Sequence, residues 1–234
     1  MRKYVAEAVG TFGIVFAGTG AIIVNDLSNG TITHVGISLT FGLIVACMIY
    51  ALGSISGAHF NPAVTIALTL FRKHDRFEAI PFIASQIAGA LFASILLKVL
   101  FPEHLTLGMT LPAGSASQAF LLEIVLTFFL MLVIAGFVAS ENTHKEIHAF
   151  AIGGVVCLDA LLGGPITGAS MNPARSLGPA LVALNFQHQW LYVIAPILGA
   201  LLAAALQFTL FTSHKKGVED RLIPHPLRHP FSAK

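Results

Sequence analysis

The stretch "ITGASMNPARS", from Ile166 to Ser176, repeats an earlier stretch of the same chain, "ISGAHFNPAVT", from Ile55 to Thr65. The two stretches share six identities in eleven positions, and two further positions exchange Ser and Thr. Both contain Asn-Pro-Ala. Asparagine is a favoured N-cap, and proline suits the first position of a helix. The repeat therefore predicts two helices that begin at matched places, Pro62 and Pro173.

The composition of the chain indicates an integral membrane protein. Of its 234 residues, 56% are apolar and 10% are charged, whereas a soluble domain carries about 25% charged residues. Segments long enough to cross a hydrocarbon core of about 30 Å are predicted as helices at Tyr4–Val24, His34–Leu52, Ala79–Leu100, Ser117–Ala139, His148–Gly164 and Trp190–Phe211. The stretches Pro62–Phe71 and Pro173–Leu184 are too short to cross, and we expect re-entrant half-helices there.

The internal repeat extends beyond the two motifs. Glu7–Phe12 in the first span matches Glu123–Phe128 in the fourth, and the third and sixth spans share "I-x-GA". Each half, about 4–112 and 117–212, thus carries three spans and one half-helix, and both belong to one membrane domain, 1–213; the duplication alone would suit a transporter or a channel. Because three is odd, the second copy starts on the opposite side of the membrane. The prediction is an all-α membrane protein with an inverted repeat, whose interrupted helices meet at the midplane.

The basic residues predict how the chain is oriented, because Lys and Arg collect in cytoplasmic loops. With both termini cytoplasmic, eleven of the thirteen basic residues fall on that side, Lys98 falls on the other, and Arg175 lies within the membrane. We expect a multi-pass protein of the cell (inner or plasma) membrane. The tail, 214–234, is polar and proline-rich, and we expect it to be mobile. Its His225 and His229 lack the further ligands of a metal site.

Small residues within the spans are predicted to serve packing. Cys47 and Cys157 lie in apolar stretches and are expected to be buried, without a disulfide or a metal. Close contacts between helices are expected at glycines, namely Gly10, Gly13, Gly18, Gly89 and Gly199.

The residues before each Asn-Pro pair are predicted to line a solute path. We expect them to be extended rather than helical, with carbonyls facing a lumen, because non-helical backbone is tolerated at this depth only beside a cavity or within protein. The dipoles of the two half-helices make the point where they meet electropositive. A water molecule there would turn its oxygen towards Asn61 and Asn172. The path-lining residues are Gly57, Ala58, His59, Gly168, Ala169 and Ser170.

From Tyr4 to about Phe211 the chain resembles the aquaporin, or major intrinsic protein, family, because both Asn-Pro-Ala boxes stand at matched sites. The resemblance implies a passive channel whose half-helix dipoles exclude protons and ions, as in aquaporins generally. It also implies a homotetramer in contact with membrane lipid. We expect no enzymatic activity, cofactor, metal or nucleic-acid partner. The box residues are Asn61, Pro62, Ala63, Asn172, Pro173 and Ala174.

The resemblance further implies a four-residue selectivity filter, placed by counting from the boxes: Phe41, Ala160, Ala169 and Arg175. Water-specific bacterial members carry His where Ala160 stands, so the opening here should be wider and more amphipathic. Glycerol facilitators usually carry Asp after the filter Arg, where this chain has Ser176.

The longer stretch "GGPITGASMNPARSLGPA" resembles the nodulin-26-like branch, whose members pass water, glycerol and uncharged metalloid acids such as arsenous, boric or silicic acid. Phe41 is bulkier than the residue expected in the most open members of that branch, which argues against silicic acid. The alternatives are a strict water-selective aquaporin and, with less support, a secondary transporter. An intramembrane enzyme would need a nucleophile with a base in reach, and only His59 beside a box suggests one.

Charged side chains within the spans are costly and mark functional or structural sites. Arg175 is assigned to the pore. Glu7 and Glu123 are expected to accept hydrogen bonds from the backbone before each box and so to hold its shape, although a proton-coupling role would suit a transporter. For Asp159, beside Ala160, two roles stay open: polarising the outer mouth, or packing against polar backbone.

Overall fold

A computed structural model describes residues 1–139 and 145–222 of the chain, and all regular secondary structure in these ranges is helical. The helices are α1 (Arg2–Leu27), α2 (Thr33–Ser56), α3 (Pro62–Leu70), α4 (Arg76–Leu100), α5 (Ala116–Ala139), α6 (Lys145–Thr167), α7 (Pro173–Ala183) and α8 (Gln189–Leu222). Six of them are long and apolar enough to cross a membrane. The remaining two, α3 and α7, are the predicted half-helices, so the predicted fold class is confirmed.

Helix packing follows the internal repeat. In the first half, α1 packs against α2 and α4; in the second, α5 packs against the corresponding α6 and α8. Contacts between α2 and α6 join the two halves. Each half-helix also contacts the last spanning helix of the other half: α3 packs against α8, and α7 packs against α4. A channel built in this way has its centre where the two half-helices meet.

Several predicted boundaries differ from the structure; α2, for example, ends at Ser56 rather than at Leu52. The fifth span is longer than predicted, since α6 begins at Lys145 and ends at Thr167. Glycine and Pro165 weaken its helical pattern, but a spanning segment has to satisfy its backbone groups internally and therefore stays helical. The last helix continues past Phe211 to Leu222, so residues 214–222 of the predicted tail are helical. Residues 223–234, with His225 and His229, lie outside the described residues.

The predicted roles of the small residues are only partly correct. A Cβ on Gly89 would lie 2.1 Å from the carbonyl oxygen of Ala8, and one on Gly199 would lie 2.3 Å from that of Ile124, so both glycines allow close helix contacts at matched places in the repeat. Gly10 and Gly18 instead make room for aromatic rings, as described below. The expectation that both cysteines are buried is wrong: Cys47 is exposed and Cys157 is half-buried.

Candidate functional site: a pore between the half-helices

The two half-helices begin at the asparagines of the boxes. Asn61 (φ −153°) precedes α3, and its side-chain oxygen accepts from the Ala63 N–H at 2.9 Å. Asn172 (φ −149°) precedes α7 and accepts from the Ala174 N–H at 3.0 Å and, less closely, from the Arg175 N–H. In both helices proline occupies the first position, where its missing N–H leaves no bond unmade. The local chemistry of Asn-Pro thus decides where each half-helix starts.

Each asparagine also binds the other half of the chain. The Asn61 amide nitrogen donates to the carbonyl of Met171 at 2.7 Å, and that of Asn172 donates to the carbonyl of Phe60 at 2.9 Å. A side-chain amide carries two N–H donors, so each asparagine keeps one for another acceptor. Both residues line a cavity that is described below, and these remaining donors can bind a solute there.

The backbone before each box is non-helical, but the expectation that it is extended is wrong. In both repeats, the same three positions adopt positive φ: Gly57 (89°), Ala58 (53°) and Phe60 (51°), and Gly168 (81°), Ala169 (43°) and Met171 (53°). Left-handed conformations are unfavourable for residues with a side chain, so surrounding contacts have to stabilise them. His59 and Ser170, which lie between these positions, do not share the positive φ.

Two buried glutamates supply contacts of this kind. Glu7 on α1 accepts hydrogen bonds from the backbone N–H groups of His59 (3.0 Å) and Phe60 (2.7 Å). Glu123 on α5 accepts from those of Ser170 (2.8 Å) and Met171 (2.8 Å). Both carboxylates are fully buried. Hydrogen bonds to a charged acceptor contribute about 1.5–3 kcal/mol each, enough to offset the strain of several left-handed residues.

The polar groups around these glutamates are partly matched between the two halves. Ser56 and Thr167 stand at the same position of the repeat, and their hydroxyls donate to Glu7 at 2.6 Å and to Glu123 at 2.7 Å. Other groups differ: Gln86 on α4 donates to Glu7 at 2.8 Å, whereas Tyr192 donates to the carbonyl of Thr167 at 2.7 Å. The repeat therefore preserves the two carboxylates and one hydroxyl donor to each, and varies the remaining groups.

The four filter positions line one cavity of about 670 Å³. Arg175 is 2% exposed, and its Nη1 donates to the carbonyl of Gly108 at 2.9 Å. Its guanidinium lies 5.1 Å from the centre of the Phe41 ring, whose edge fits against Gly18 without room for a Cβ. Ala160 and Ala169 present only methyl groups. The four predicted filter positions thus place an aromatic face, two small apolar walls and a cation on one cavity.

Two donors of Arg175 have no partner in the part of the chain that the structure describes, although both are buried. They are Nε and Nη2, and Arg175 itself lines the cavity. A buried donor without an acceptor is costly. An oxygen-bearing solute at this point would accept from these groups.

The cavity continues past the boxes to Lys73 and His148, at the end opposite the four predicted filter positions. His59 lines it, with Nδ1 3.1 Å from the Thr65 hydroxyl and its ring beside that of His74. Asp159 is buried, and one of its carboxylate oxygens has no partner within residues 1–139 and 145–222. Among the described residues it is not part of the cavity wall, which does not favour a direct role for Asp159 in the outer mouth.

Several contacts of the site could not be found from the motifs. Gly108 and Thr110 lie in the irregular segment between α4 and α5, which has no periodic pattern, yet Gly108 binds Arg175 and Thr110 lies 2.7 Å from the Ser176 hydroxyl. Gln86 had a usable signal, because an uncharged amide within an apolar span needs a buried partner.

Two half-helices that meet at their asparagine caps, beside a cavity with unpaired donors, define a membrane channel with the aquaporin architecture. The family model described as "Major intrinsic protein" matches residues 1–207. The chain is 46% identical over 203 residues to a putative aquaporin NIP4-1 of Arabidopsis thaliana (86% of this chain, 71% of the relative). It is 42% identical over 205 residues to nodulin-26 of Glycine max (87% and 76%). The chain therefore belongs to the major intrinsic protein family, and its relatives include nodulin-26-like aquaporins.

The fold has a solved counterpart. The X-ray structure of the aquaglyceroporin from Plasmodium falciparum matches with a TM-score of 0.82, covering 92% of this chain and 98% of that chain at 24% identity. At this identity the likeness extends to the fold alone.

Proposed function

We propose that the protein is a passive channel for water and small neutral solutes, including glycerol and uncharged metalloid acids such as arsenous or boric acid. The observation that carries the proposal is the filter composition. Ala160 faces the cavity with a methyl group, while Arg175 offers two unpaired donors opposite the Phe41 ring. A polyhydroxylated solute has hydroxyls to accept from the guanidinium and carbon atoms to contact the apolar walls.

The centre of the path supports the exclusion of protons and cations. Asn61 and Asn172 each keep one amide N–H for which the described residues offer no acceptor, and both half-helix N-termini point to this place. A water molecule that accepts from both amides uses both lone pairs of its oxygen, so it can donate to its neighbours in the file but cannot accept a proton from either of them, which interrupts proton hopping. The partial positive charge of the helix ends repels cations.

The setting of the channel is part of the proposal. We infer that both termini are cytoplasmic from the distribution of Lys and Arg, that the protein lies in the cell membrane, and that it assembles as a homotetramer like the family it belongs to. The relatives' names describe aquaporins, which favours a channel over an enzyme.

The test is stopped-flow light scattering on proteoliposomes. Water, glycerol and arsenous acid should all cross faster than through empty liposomes, with low activation energy, no saturation and no dependence on a proton gradient. Fast water flux without glycerol or arsenous acid flux would make the protein a strict water channel. Saturable flux that follows a proton gradient would make it a transporter.

Ala160→His tests the filter assignment directly. The imidazole adds a ring and a donor to the opening, so glycerol flux should fall at least about tenfold, the effect of a barrier higher by about 1.4 kcal/mol, and water flux should fall less. Gly154→His on the same helix is the control, because a Cβ there has nothing within 4 Å. Equal losses of water and glycerol flux in Ala160→His would show that Ala160 does not form the filter.

A further inference from the structure

We propose that His34 is a positioning residue for the filter: its hydrogen bond from α2 to α6 sets how wide the filter opens. His34 Nε2 lies 2.9 Å from the backbone oxygen of Leu161. His34 itself does not line the cavity, whose described wall includes Phe41 of α2 and Ala160 of α6. The inference rests on the proposed function, because it concerns which neutral solutes pass the filter.

The carbonyl that His34 binds lacks its ordinary helical partner. In a regular helix the Leu161 oxygen would accept from the N–H of residue 165, but Pro165 has no N–H. His34 supplies a donor in its place, which requires its Nε2 to carry the hydrogen. Two further carbonyls at the end of α6 also accept from other parts of the chain: Ile166 from the Ala113 N–H and Thr167 from the Tyr192 hydroxyl.

The backbone of α6 is shaped to receive the imidazole. A Cβ on Gly164 would lie 2.5 Å from His34 Cε1. Any larger residue at 164 would therefore push the ring away from the Leu161 carbonyl. One contact between the two helices thus depends on three residues together: Gly164, the adjacent Pro165 and His34 on the facing helix.

A second close contact joins the same two helices deeper in the bundle. A Cβ on Gly42 would lie 2.5 Å from the carbonyl oxygen of Gly153, and one on Gly153 would lie 2.4 Å from that of Gly42. The separation of α2 and α6 is thus fixed at two points. Phe41 precedes Gly42 in the chain, and Ala160 precedes Leu161, so each fixed point adjoins one filter residue.

The two contacts between α2 and α6 have different roles. The Gly42 and Gly153 contact acts as a pivot, since backbone touches backbone. The His34 bond holds the ends of α2 and α6 that lie beyond this pivot. Without the bond, the Leu161 carbonyl has to find water or another donor, and α6 is free to move away from α2. Ala160 would move with it and the filter would widen.

The experiment measures the permeability ratios of glycerol and the larger erythritol to water in proteoliposomes. Ratios are independent of how much channel is reconstituted. His34→Ala should raise the erythritol-to-water ratio about threefold or more, within the range of coupling between contacting residues. His34→Gln retains a side-chain N–H donor of similar reach and should stay close to the parent ratio.

Pro165→Ala distinguishes the hydrogen bond from simple packing. It restores a backbone N–H for the Leu161 carbonyl, so His34→Ala should change the ratio much less in the Pro165→Ala background than in the parent. An equal change in both backgrounds would overturn the inference. If His34→Ala yields no folded protein, Gly164→Ala replaces it, because the added methyl displaces the imidazole and should also raise the ratio.

The outcomes separate this inference from the proposed function. A parent that passes glycerol, with ratios unchanged in His34→Ala or in its substitute Gly164→Ala, refutes the role of His34 and leaves the proposed function intact. A parent closed to glycerol refutes the proposed function. In that case His34→Ala, or Gly164→Ala in its place, should admit glycerol if the contact sets the width, and continued exclusion would refute the inference as well.

Discussion

Gly18→Ala should narrow the filter without altering any filter residue. A Cβ at position 18 would lie 2.1 Å from Phe41 Cε1 and 2.4 Å from Cζ. Because carbon atoms pack at about 3.5 Å, the ring edge has to move by about 1.4 Å. The ring is held between α1 and the cavity that it lines, so it has to move towards the lumen. That shift matches the radius of a water molecule, about 1.4 Å.

The expected loss of solute flux follows from the cost of overpacking. Forcing an additional methyl group into a packed site costs about 1–3 kcal/mol. A solute that needs the same space meets this cost as a higher barrier, and each 1.4 kcal/mol is about tenfold in rate. Glycerol flux should therefore fall by about 5- to 150-fold. Water needs less width and should lose about threefold or less, corresponding to under 1 kcal/mol.

The assay is stopped-flow light scattering on proteoliposomes with matched protein content. Gly13→Ala, on the same helix α1, is the control. Its Cβ would contact the flexible Met48 side chain at 3.0 Å, and Met48 does not line the described cavity. Its fluxes should stay near the parent values. Unchanged glycerol flux in Gly18→Ala, or equal losses of water and glycerol flux, would refute the assignment of Phe41 to the filter.

Two further predictions concern stability. Glu123→Gln keeps one acceptor oxygen but turns an amide donor towards the backbone N–H of Met171 or its neighbour, so it should cost about 2 kcal/mol and lower the melting temperature in detergent by about 4–8 °C. Gly89→Ala would place a Cβ 2.1 Å from the backbone oxygen of Ala8. Since backbone cannot yield as a side chain can, the yield of monodisperse protein on size exclusion should fall severely.

Each stability prediction has a control, on α5 for Glu123→Gln and on α6 for Gly89→Ala. Thr127→Val removes a hydroxyl that binds the Glu123 backbone oxygen at 2.7 Å and not its carboxylate, and its melting temperature should stay within about 2 °C of the parent. Gly154→Ala places its methyl in open space and should leave the yield unchanged. A parent-like melting temperature for Glu123→Gln would mean that its charge is not needed to hold the loop. A parent-like yield for Gly89→Ala would contradict the close contact of α1 with α4.

The sequence predicted the starts of the half-helices because these depend on local chemistry. Asn-Pro specifies an N-cap and a first helical residue within two positions, and α3 and α7 begin at Pro62 and Pro173 as expected. The left-handed loop residues were not predictable in the same way. Ala58 and Met171 disfavour positive φ by themselves. They adopt it because Glu7 and Glu123, far away in the chain, bind the adjacent N–H groups.

The predicted filter shows the same contrast: the positions of its residues follow from local sequence, whereas their contacts depend on residues far away in the chain. Counting from the boxes places Phe41, Ala160, Ala169 and Arg175, and the structure brings all four to one cavity. The partner of Arg175 was not predictable, since Gly108 follows α4 in a segment without regular structure. The role of Gly18 was misread for a related reason: a glycine within a span can face a helix backbone or an aromatic ring, and its own sequence context is the same in both cases.

The bonds of the two asparagines explain why the centre of the pore can be rigid before any solute enters. Each side-chain oxygen accepts from its own half-helix, and each amide nitrogen donates to the opposite loop, Asn61 to Met171 and Asn172 to Phe60. Neither asparagine is therefore free to turn. Because each partner comes from the other repeat, one half of the chain alone cannot form this centre. The one amide hydrogen left on each side is held in a direction set by the fold, so a passing molecule has to adapt to the protein.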